Sequence, residues 1–397
     1  MTLLELRGRI FDGASEEIEP GVLVVDSDTR RIVEARKGSA VGGSSGKGQP
    51  TLATTGTIVP GFVDAHIHLM GARKYDLVEW TVNPPLRSAL RCVPDLRRLL
   101  DAGFTAVRDL GSKAGPSLRQ AVEDGDIPGP RIVSSGRSLA ETGGDDDLLV
   151  LPQDIATRLA YSVFCDGPWE CRKAVRGAIR EGANVIKLYA SGSFIQGTTV
   201  RPQLSEEEIT SIVTEAHKMG IRVAAHAYGE ETIRTAVEAG VDSIEHGLGL
   251  TEDVCELMKR RGTFYVPTLS AYAATRASAT GAKREALERH FSQEIALARQ
   301  SELKIVAGTD YSGVATEPHG QNAIEMIHLV RAGLSPVEAL RAGTATAAAC
   351  LDPESPGILR EGSIADIVLV GGMPDRKIEN TLPDHVEHVL LGGRVVK

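Results

Sequence analysis

Two histidines separated by one residue, His66 and His68, close a short apolar run that starts at Thr57 and passes through Pro60-Gly61. Side chains at i and i+2 of an extended segment point the same way. Both imidazoles therefore face one point, and neutral imidazole is the commonest side-chain metal ligand. A lone His-x-His also occurs in ordinary core or surface settings, so its meaning depends on what else the chain delivers there. Further along, Lys187, His226, His246 and Asp310 each stand at the end of a short β-rich run. Four of the ten histidines fall at such ends; others, such as His217 and His290, sit in helical patterns. Four imidazoles and one carboxylate suit two divalent metals, zinc foremost, with manganese, iron or nickel behind it.

Lys187 does not fit that set as an ammonium, which has no lone pair. Its segment, Asn184-Val185-Ile186-Lys187-Leu188-Tyr189, is apolar. Burial and neighbouring cations lower a lysine pKa. A neutral amine there can add CO2 and become a carbamate, an anion whose two oxygens can bridge two metals. The alternative is a core-edge lysine paired with a carboxylate. Asp310 likewise has two readings: a metal ligand that also handles a proton, or a helix N-cap after the strand.

The elements that must position these residues repeat. An amphipathic helical stretch ends at glycine and a β-rich run follows, as at Gly103, Gly182, Gly220, Gly240 and Gly262. Glycine with φ > 0 is the expected helix stop. Ser205 with Glu208, and Ser335 with Glu338 behind Pro336, read as capping boxes at helix starts. Eight strand candidates result, near 58–65, 104–109, 131–136, 184–190, 222–227, 242–246, 264–268 and 304–310. Strands alternating with helices argue for an α/β fold of parallel strands with right-handed crossovers. The expectation is a (β/α)8 TIM-type barrel, with chemistry at the C-terminal strand ends. A doubly wound sheet would place a Gly-rich phosphate loop after the first strand, where His66-Ile67-His68-Leu69-Met70 stands instead.

Both chain ends read as short strands and turns, including the Gly/Ser-rich stretch Gly42 to Gly46 and a hairpin turning on Gly392-Gly393. They are expected to build one small β-sandwich domain, 1–56 plus 357–397, flanking a barrel of 57–356. The 397 residues are 42% hydrophobic and 24% charged, an ordinary globular balance. A net charge of -9 argues against nucleic acid as a partner. Five cysteines, with no C-x-x-C pair, fit a reducing, cytoplasmic setting. The N-terminus carries no signal pattern, and no run reaches the ~18 apolar residues of a membrane span.

Taken together, Pro60-Gly61-Phe62-Val63-Asp64-Ala65-His66-Ile67-His68, Ile186-Lys187-Leu188, Ala225-His226-Ala227, Ile244-Glu245-His246-Gly247 and Ala307-Gly308-Thr309-Asp310 resemble the amidohydrolase superfamily, in its binuclear carboxylated-lysine subtype. The resemblance runs over nearly the whole chain. It implies His66, His68 and Asp310 on one metal ion, His226 and His246 on the other, and carbamylated Lys187 and a hydroxide as bridges. It implies two divalent ions, zinc above others, attack by the bridging hydroxide, and proton transfer through Asp310 to the leaving amine. Within the superfamily the chain is similar to the prolidase-like and ochratoxin-degrading branch, through Lys187 to Gly192, His226-Ala227-Tyr228-Gly229 and Thr142-Gly143-Gly144. That branch implies a homo-oligomer and a small-molecule substrate. The implied reaction is hydrolysis of an amide next to a carboxylate, in an Xaa-Pro dipeptide, an N-acyl amino acid or an ochratoxin-like amide. The alternative substrates are a non-peptide carbamate, phenylurea, aryl amide or cyclic amide. Members of the branch often carry histidine after Thr-Gly-Gly; here Asp145-Asp146-Asp147 follows and reads as a solvated loop face.

For substrate contacts, Tyr228 can hydrogen-bond a carboxylate or pack as a rim aromatic. Arg201 is a candidate carboxylate fork. His319, in Glu317-Pro318-His319-Gly320, stands beside the site or is a plain loop histidine. The long connection Arg137 to Asp166 is a candidate lid or wall.

Overall fold

The two ends of the chain meet in one sheet. The computed structural model describes residues 2–38, 50–193, 200–276, 278–352 and 357–397; the Gly/Ser-rich stretch at 42–46 lies outside them. Strands β1 (Leu3–Ile10), β2 (Glu19–Asp26), β3 (Arg31–Lys37) and β4 (Thr51–Pro60) come from the beginning of the chain. The next strands are β5 (Phe62–Ile67), β6 (Phe104–Asp109), β7 (Arg131–Ser134), β8 (Ser138–Ala140), β9 (Ser162–Phe164) and β10 (Ile186–Tyr189). β11 (Val223–Ala227), β12 (Ser243–His246), β13 (Phe264–Val266) and β14 (Lys304–Ile305) follow, and β15 (Ile367–Val370), β16 (Val386–Leu391) and β17 (Arg394–Val395) end the chain. The end sheet has the order β17-β16-β15-β4-β1-β2-β3. β15 zips antiparallel onto β4, with Ile367 opposite Pro60 and Val370 opposite Thr57. The β16–β17 hairpin turns on Gly392-Gly393, both with φ > 0 (55° and 73°), as a tight two-residue hairpin turn requires.

The expected strand 58–65 is divided. Ile58 to Pro60 finish β4 in the end sheet, and β5 starts at Phe62. Proline cannot donate to a ladder, so pairing ends there. Gly61 makes the turn because a Cβ there would lie 1.9 Å from Thr105 Oγ1.

Among the helices are α1 (Leu77–Val82), α2 (Pro85–Asp101), α3 (Gly115–Glu123), α4 (Gln153–Leu159) and α5 (Gly167–Arg180). After them come α6 (Glu206–His217), α7 (Glu230–Ala239), α8 (Glu252–Arg261), α9 (Leu269–Arg276) and α10 (Gly281–Arg289). Gly103, Gly182, Gly220, Gly240 and Gly262 all take φ > 0, and both expected capping boxes form. The fold is mixed α/β with parallel strands in two ladders, β5-β6-β7 and β14-β13-β12-β11-β10-β8-β9. The strands are buried on both faces, which explains their continuous apolar runs. Backbone bonds tie the ladders together. Asn184 N donates to Ser134 O at 3.0 Å, Ala65 N to Ala307 O at 3.0 Å, and Asp310 N to His66 O at 2.7 Å.

The expected strand 304–310 pairs regularly only over Lys304–Ile305. Beyond it the chain leans onto β5, where Gly308 leaves room for the His66 backbone; a Cβ there would lie 3.0 Å from His66 N. The long connection 137–166 is structured, holding β8, α4 and β9. No helix among the described residues is long and apolar enough to cross a membrane.

Asp366 links the end sheet to the parallel strands. Arg131 on β7 reaches it through Nε at 2.8 Å and Nη2 at 3.2 Å, and Gly392 N donates to it at 2.6 Å. Asp366→Ala is expected to cost about 2–3 kcal/mol of unfolding free energy, the scale of lost hydrogen bonds to a charged group. A urea titration with an unchanged midpoint would remove the linking role.

Candidate metal centre and active site

The strand ends deliver their side chains into one cavity of about 730 Å³. His66, His68, Lys187, His226, His246 and Asp310 all line it. The imidazoles form a row: ring centroids lie 5.4 Å apart for His68–His66, 5.1 Å for His66–His246 and 4.6 Å for His246–His226. Asp310 Oδ1 lies 2.9 Å from His68 Nε2 and 3.4 Å from His66 Nε2. Candidate ligand atoms of His66, His246 and Asp310 all fall within 4.8 Å of one another. This triad takes members from both of the metal sites that the resemblance implies.

Outer partners fix three of the rings. His66 Nδ1 bonds Glu245 Oε2 at 2.8 Å, His68 Nδ1 bonds Gly111 O at 3.0 Å, and His246 Nδ1 bonds Thr268 Oγ1 at 2.7 Å. Such partners set the tautomer and leave the other nitrogen for a cation. His226 Nε2 faces Gly192 O at 3.3 Å. Burial, then the charge of Lys187, pushes His66 down to about 4 and His226 to about 3. Burial also holds His246 well below the ordinary histidine range. These rings are neutral at pH 7, the form that binds metal. Burial opposes ionisation of Asp310, yet His66, His68 and Lys187 bring it to about 2. Burial lowers Lys187 to about 8, against the pull of Glu245 and Asp310.

Whether a metal suits these residues is tested by His66. Its Nε2 is buried and makes no hydrogen bond. An orphaned buried polar atom is costly, and a divalent cation among the imidazoles and Asp310 removes that cost. The nitrogen and oxygen donor set fits zinc and similar ions.

Glu245 and Arg108 were not assigned roles from the sequence. Arg108 Nη2 lies 2.8 Å from Glu245 Oε1, and its Nε donates to Ala65 O at 2.6 Å. Glu245 stands beside a candidate ligand in Ile244-Glu245-His246, which was the available signal; Arg108, an arginine inside a buried strand, was the other. Asp64 was also missed. It accepts from His66 N at 3.0 Å, Thr309 Oγ1 at 2.7 Å and Asn322 Nδ2 at 2.7 Å.

The remaining sequence candidates divide. Tyr228 lines the cavity, its ring 4.5 Å from that of His226, and its hydroxyl pairs with that of Tyr272. Arg201 does not line it; its side chain is 62% exposed and lies 3.3 Å from Glu141. His319 is buried behind the wall, with Nε2 3.2 Å from His68 O, and burial lowers it to about 4. Asp145-Asp146-Asp147 is not a solvated face: all three are buried and the first two line the cavity. Hydroxyls explain the burial of Asp146, which accepts from Tyr161 at 2.6 Å and from Ser162. The connection 137–166 is thus a wall, as Tyr161 also lines the cavity.

A fold of parallel strands whose ends converge on imidazoles, a lysine and an aspartate matches one family. The chain belongs to the amidohydrolase family, whose profile matches residues 57–396, and it is a hydrolase acting on amide bonds. It is 34% identical over 370 residues to ochratoxinase of Aspergillus niger, covering 86% of this chain and 75% of that protein. The crystal structure of A. niger ochratoxinase superposes with a TM-score of 0.91 at 30% identity, over 100% of this chain and 96% of that one. A prolidase solved with N-methylphosphonate-L-proline gives 0.88 at 32% identity over 100% of both chains.

Glu245→Gln is expected to loosen metal retention by about 10–100-fold, the usual effect of losing a ligand-orienting partner. It is also expected to cost about 3–5 kcal/mol of stability, because Arg108 stays buried without its counter-charge. Metal analysis after dialysis against a graded chelator, together with a thermal melt, measures both. Wild-type metal retention in a folded variant would end the orienting role.

Proposed function

We propose that the enzyme is a binuclear metal amidohydrolase that cleaves an amide next to a carboxylate, in an Xaa-Pro dipeptide, an N-acyl amino acid or an ochratoxin-like amide. One observation carries this: the imidazole row, Lys187 and Asp310 line a single cavity. The parallel strands are read as a (β/α)8 barrel over 57–356, with 1–56 and 357–397 as a small β-sandwich domain. His66, His68 and Asp310 would hold one zinc ion, His226 and His246 the other, and Lys187, as its carbamate, would bridge them. The lowered pKa of Lys187 supports carbamate formation, since CO2 adds to the neutral amine. The carboxylate class is supported by the prolidase that binds N-methylphosphonate-L-proline, a tetrahedral phosphorus on the nitrogen of an amino acid.

Bound divalent ions supply Lewis acidity, polarising the scissile carbonyl and acidifying water. Asp310 is ionised and accepts a proton from the attacking water. It then returns the proton to the amine nitrogen as the C–N bond breaks. Tyr228 and Tyr272, hydroxyl to hydroxyl beside His226 and His246, orient the substrate.

A second reading, a substrate without a carboxylate such as a carbamate, phenylurea, aryl amide or cyclic amide, is favoured by the acidic lining of Asp76, Asp145, Asp146 and Glu317. Burial raises Asp145 and Asp146 and brings Glu317 to about 7, which damps the repulsion.

Asp310→Asn is expected to keep most of its metal while kcat falls by about 10²–10⁴, the range for losing a positioned proton carrier. Unchanged turnover would remove Asp310 from proton transfer. Chelation is expected to abolish hydrolysis, with full recovery needing about two zinc equivalents per chain. Recovery complete at one equivalent would sink the binuclear assignment.

A further inference from the structure

A substrate carboxylate must find a cation in a cavity whose lining already carries five carboxylates, Asp76, Asp145, Asp146, Asp310 and Glu317. Among the described residues lining it, the lysines and arginines are Lys187 and Lys283 alone. Lys187 is fully buried on β10, among the candidate ligands. Arg201, a candidate carboxylate fork from the sequence, pairs with Glu141 outside the lining. Lys283 stands in the first turn of α10, half-buried, and opens onto the cavity.

Its wall is otherwise neutral. α9 contributes Tyr272 and Thr275 to the same cavity. Tyr272 bonds Tyr228 and lies 6.0 Å, ring to ring, from His246. Tyr228, Leu248, Tyr272, Ala279 and Leu287 pack into one apolar cluster, which fixes α9 and α10 against the end of β11.

We propose that Lys283 anchors the carboxylate of the substrate, so that the scissile carbonyl lies over the imidazole row and the carboxylate points to the α9–α10 wall. This rests on the carboxylate reading above. It names a specificity-determining residue on a wall that no metal-ligand motif reaches. Asp145 and Glu317, lining the same cavity, disfavour a carboxylate placed beside them.

The test compares paired substrates in wild type, Lys283→Ala and Lys283→Arg: methionyl-L-proline with methionyl-pyrrolidide, and N-benzoyl-L-phenylalanine with N-benzoyl-phenethylamine. Each pair differs only by the carboxylate. The readout is the ratio of kcat/KM within a pair, so partial loss of folded protein cancels. Lys283→Ala is expected to lower that ratio by about tenfold or more, chiefly through KM, and Lys283→Arg to restore most of it. Inhibition by free L-proline should weaken in parallel. A wild type that prefers the carboxylate partner, beside a Lys283→Ala variant with an unchanged ratio, overturns the role of Lys283 and leaves the substrate class standing. A wild type with no such preference overturns the substrate class, and the anchor with it.

Discussion

Glu245 is fully buried, and its two oxygens serve different masters. Oε1 accepts from Arg108 at 2.8 Å and from Ser243 at 2.5 Å, and Oε2 from His66 Nδ1 at 2.8 Å. Burial opposes the charge, but Arg108 and His66 hold Glu245 down at about 2. Arg108 also binds Ala65 O, so three strands, β5, β6 and β12, are joined through one ion pair. A buried ion pair is seldom a net source of stability compared with apolar packing. Its gain here is orientation: the lone pair of His66 Nε2 can point only inward. The chemistry of the floor and the relative placement of the strands are therefore the same constraint.

Backbone strain collects at this floor. His246, Asp310 and Thr268 take φ of 67°, 61° and 50°, a region that non-glycine residues rarely adopt. Each such residue costs about 1–3 kcal/mol unless its surroundings over-determine it. The surroundings do so. Thr268 Oγ1 holds His246, and Asp64 gathers donors from His66 N, Thr309 and Asn322, locking the segment before Asp310 against β5. Burial nonetheless pushes Asp64 up to about 6. The irregular end of the expected strand 304–310 is the same fact seen in the backbone: a ladder cannot continue through a residue turned to aim its carboxylate inward.

The residues that meet in the cavity stand at strand ends, and three of those ends carried a local signal. A helix stopped by glycine precedes the strands of Lys187, His226 and His246, while His66 and His68 follow the Pro60-Gly61 turn. What lies on the connections was not legible. Arg201 is near a ligand strand in sequence but pairs with Glu141 at the surface. Asp145-Asp146-Asp147 looks like a solvated run, since three adjacent carboxylates normally stay in water. The hydroxyls that donate to buried Asp146, on Ser138, Tyr161 and Ser162, are spread along the chain and act only once β8 and β9 pair. Glu245 and Arg108 carried a weak signal, charge inside an apolar strand, but pairing residues 137 positions apart requires the fold. Lys283 had no signal at all, because an amphipathic helix shows a lysine in its first turn for many reasons.

Floor and walls obey different rules as a result. The floor is made by strand ends whose spacing is set by backbone pairing, so moving a side chain there must break the ladder, the strain or the ion pair. The walls come from segments that the ladder does not restrain: the stretch around Tyr75 and Trp80, the connection with Asp145 and Tyr161, and the α9–α10 pair. Trp80 stacks edge-on with Tyr75 at 4.8 Å and Tyr161 at 6.1 Å, an apolar face beside acidic neighbours. A charge on these walls can be changed without moving a floor side chain by the fraction of an ångström that chemistry notices. The carboxylates Asp76, Asp145, Asp146 and Glu317 thus stand on connections, while the imidazoles, Lys187 and Asp310 stand at strand ends.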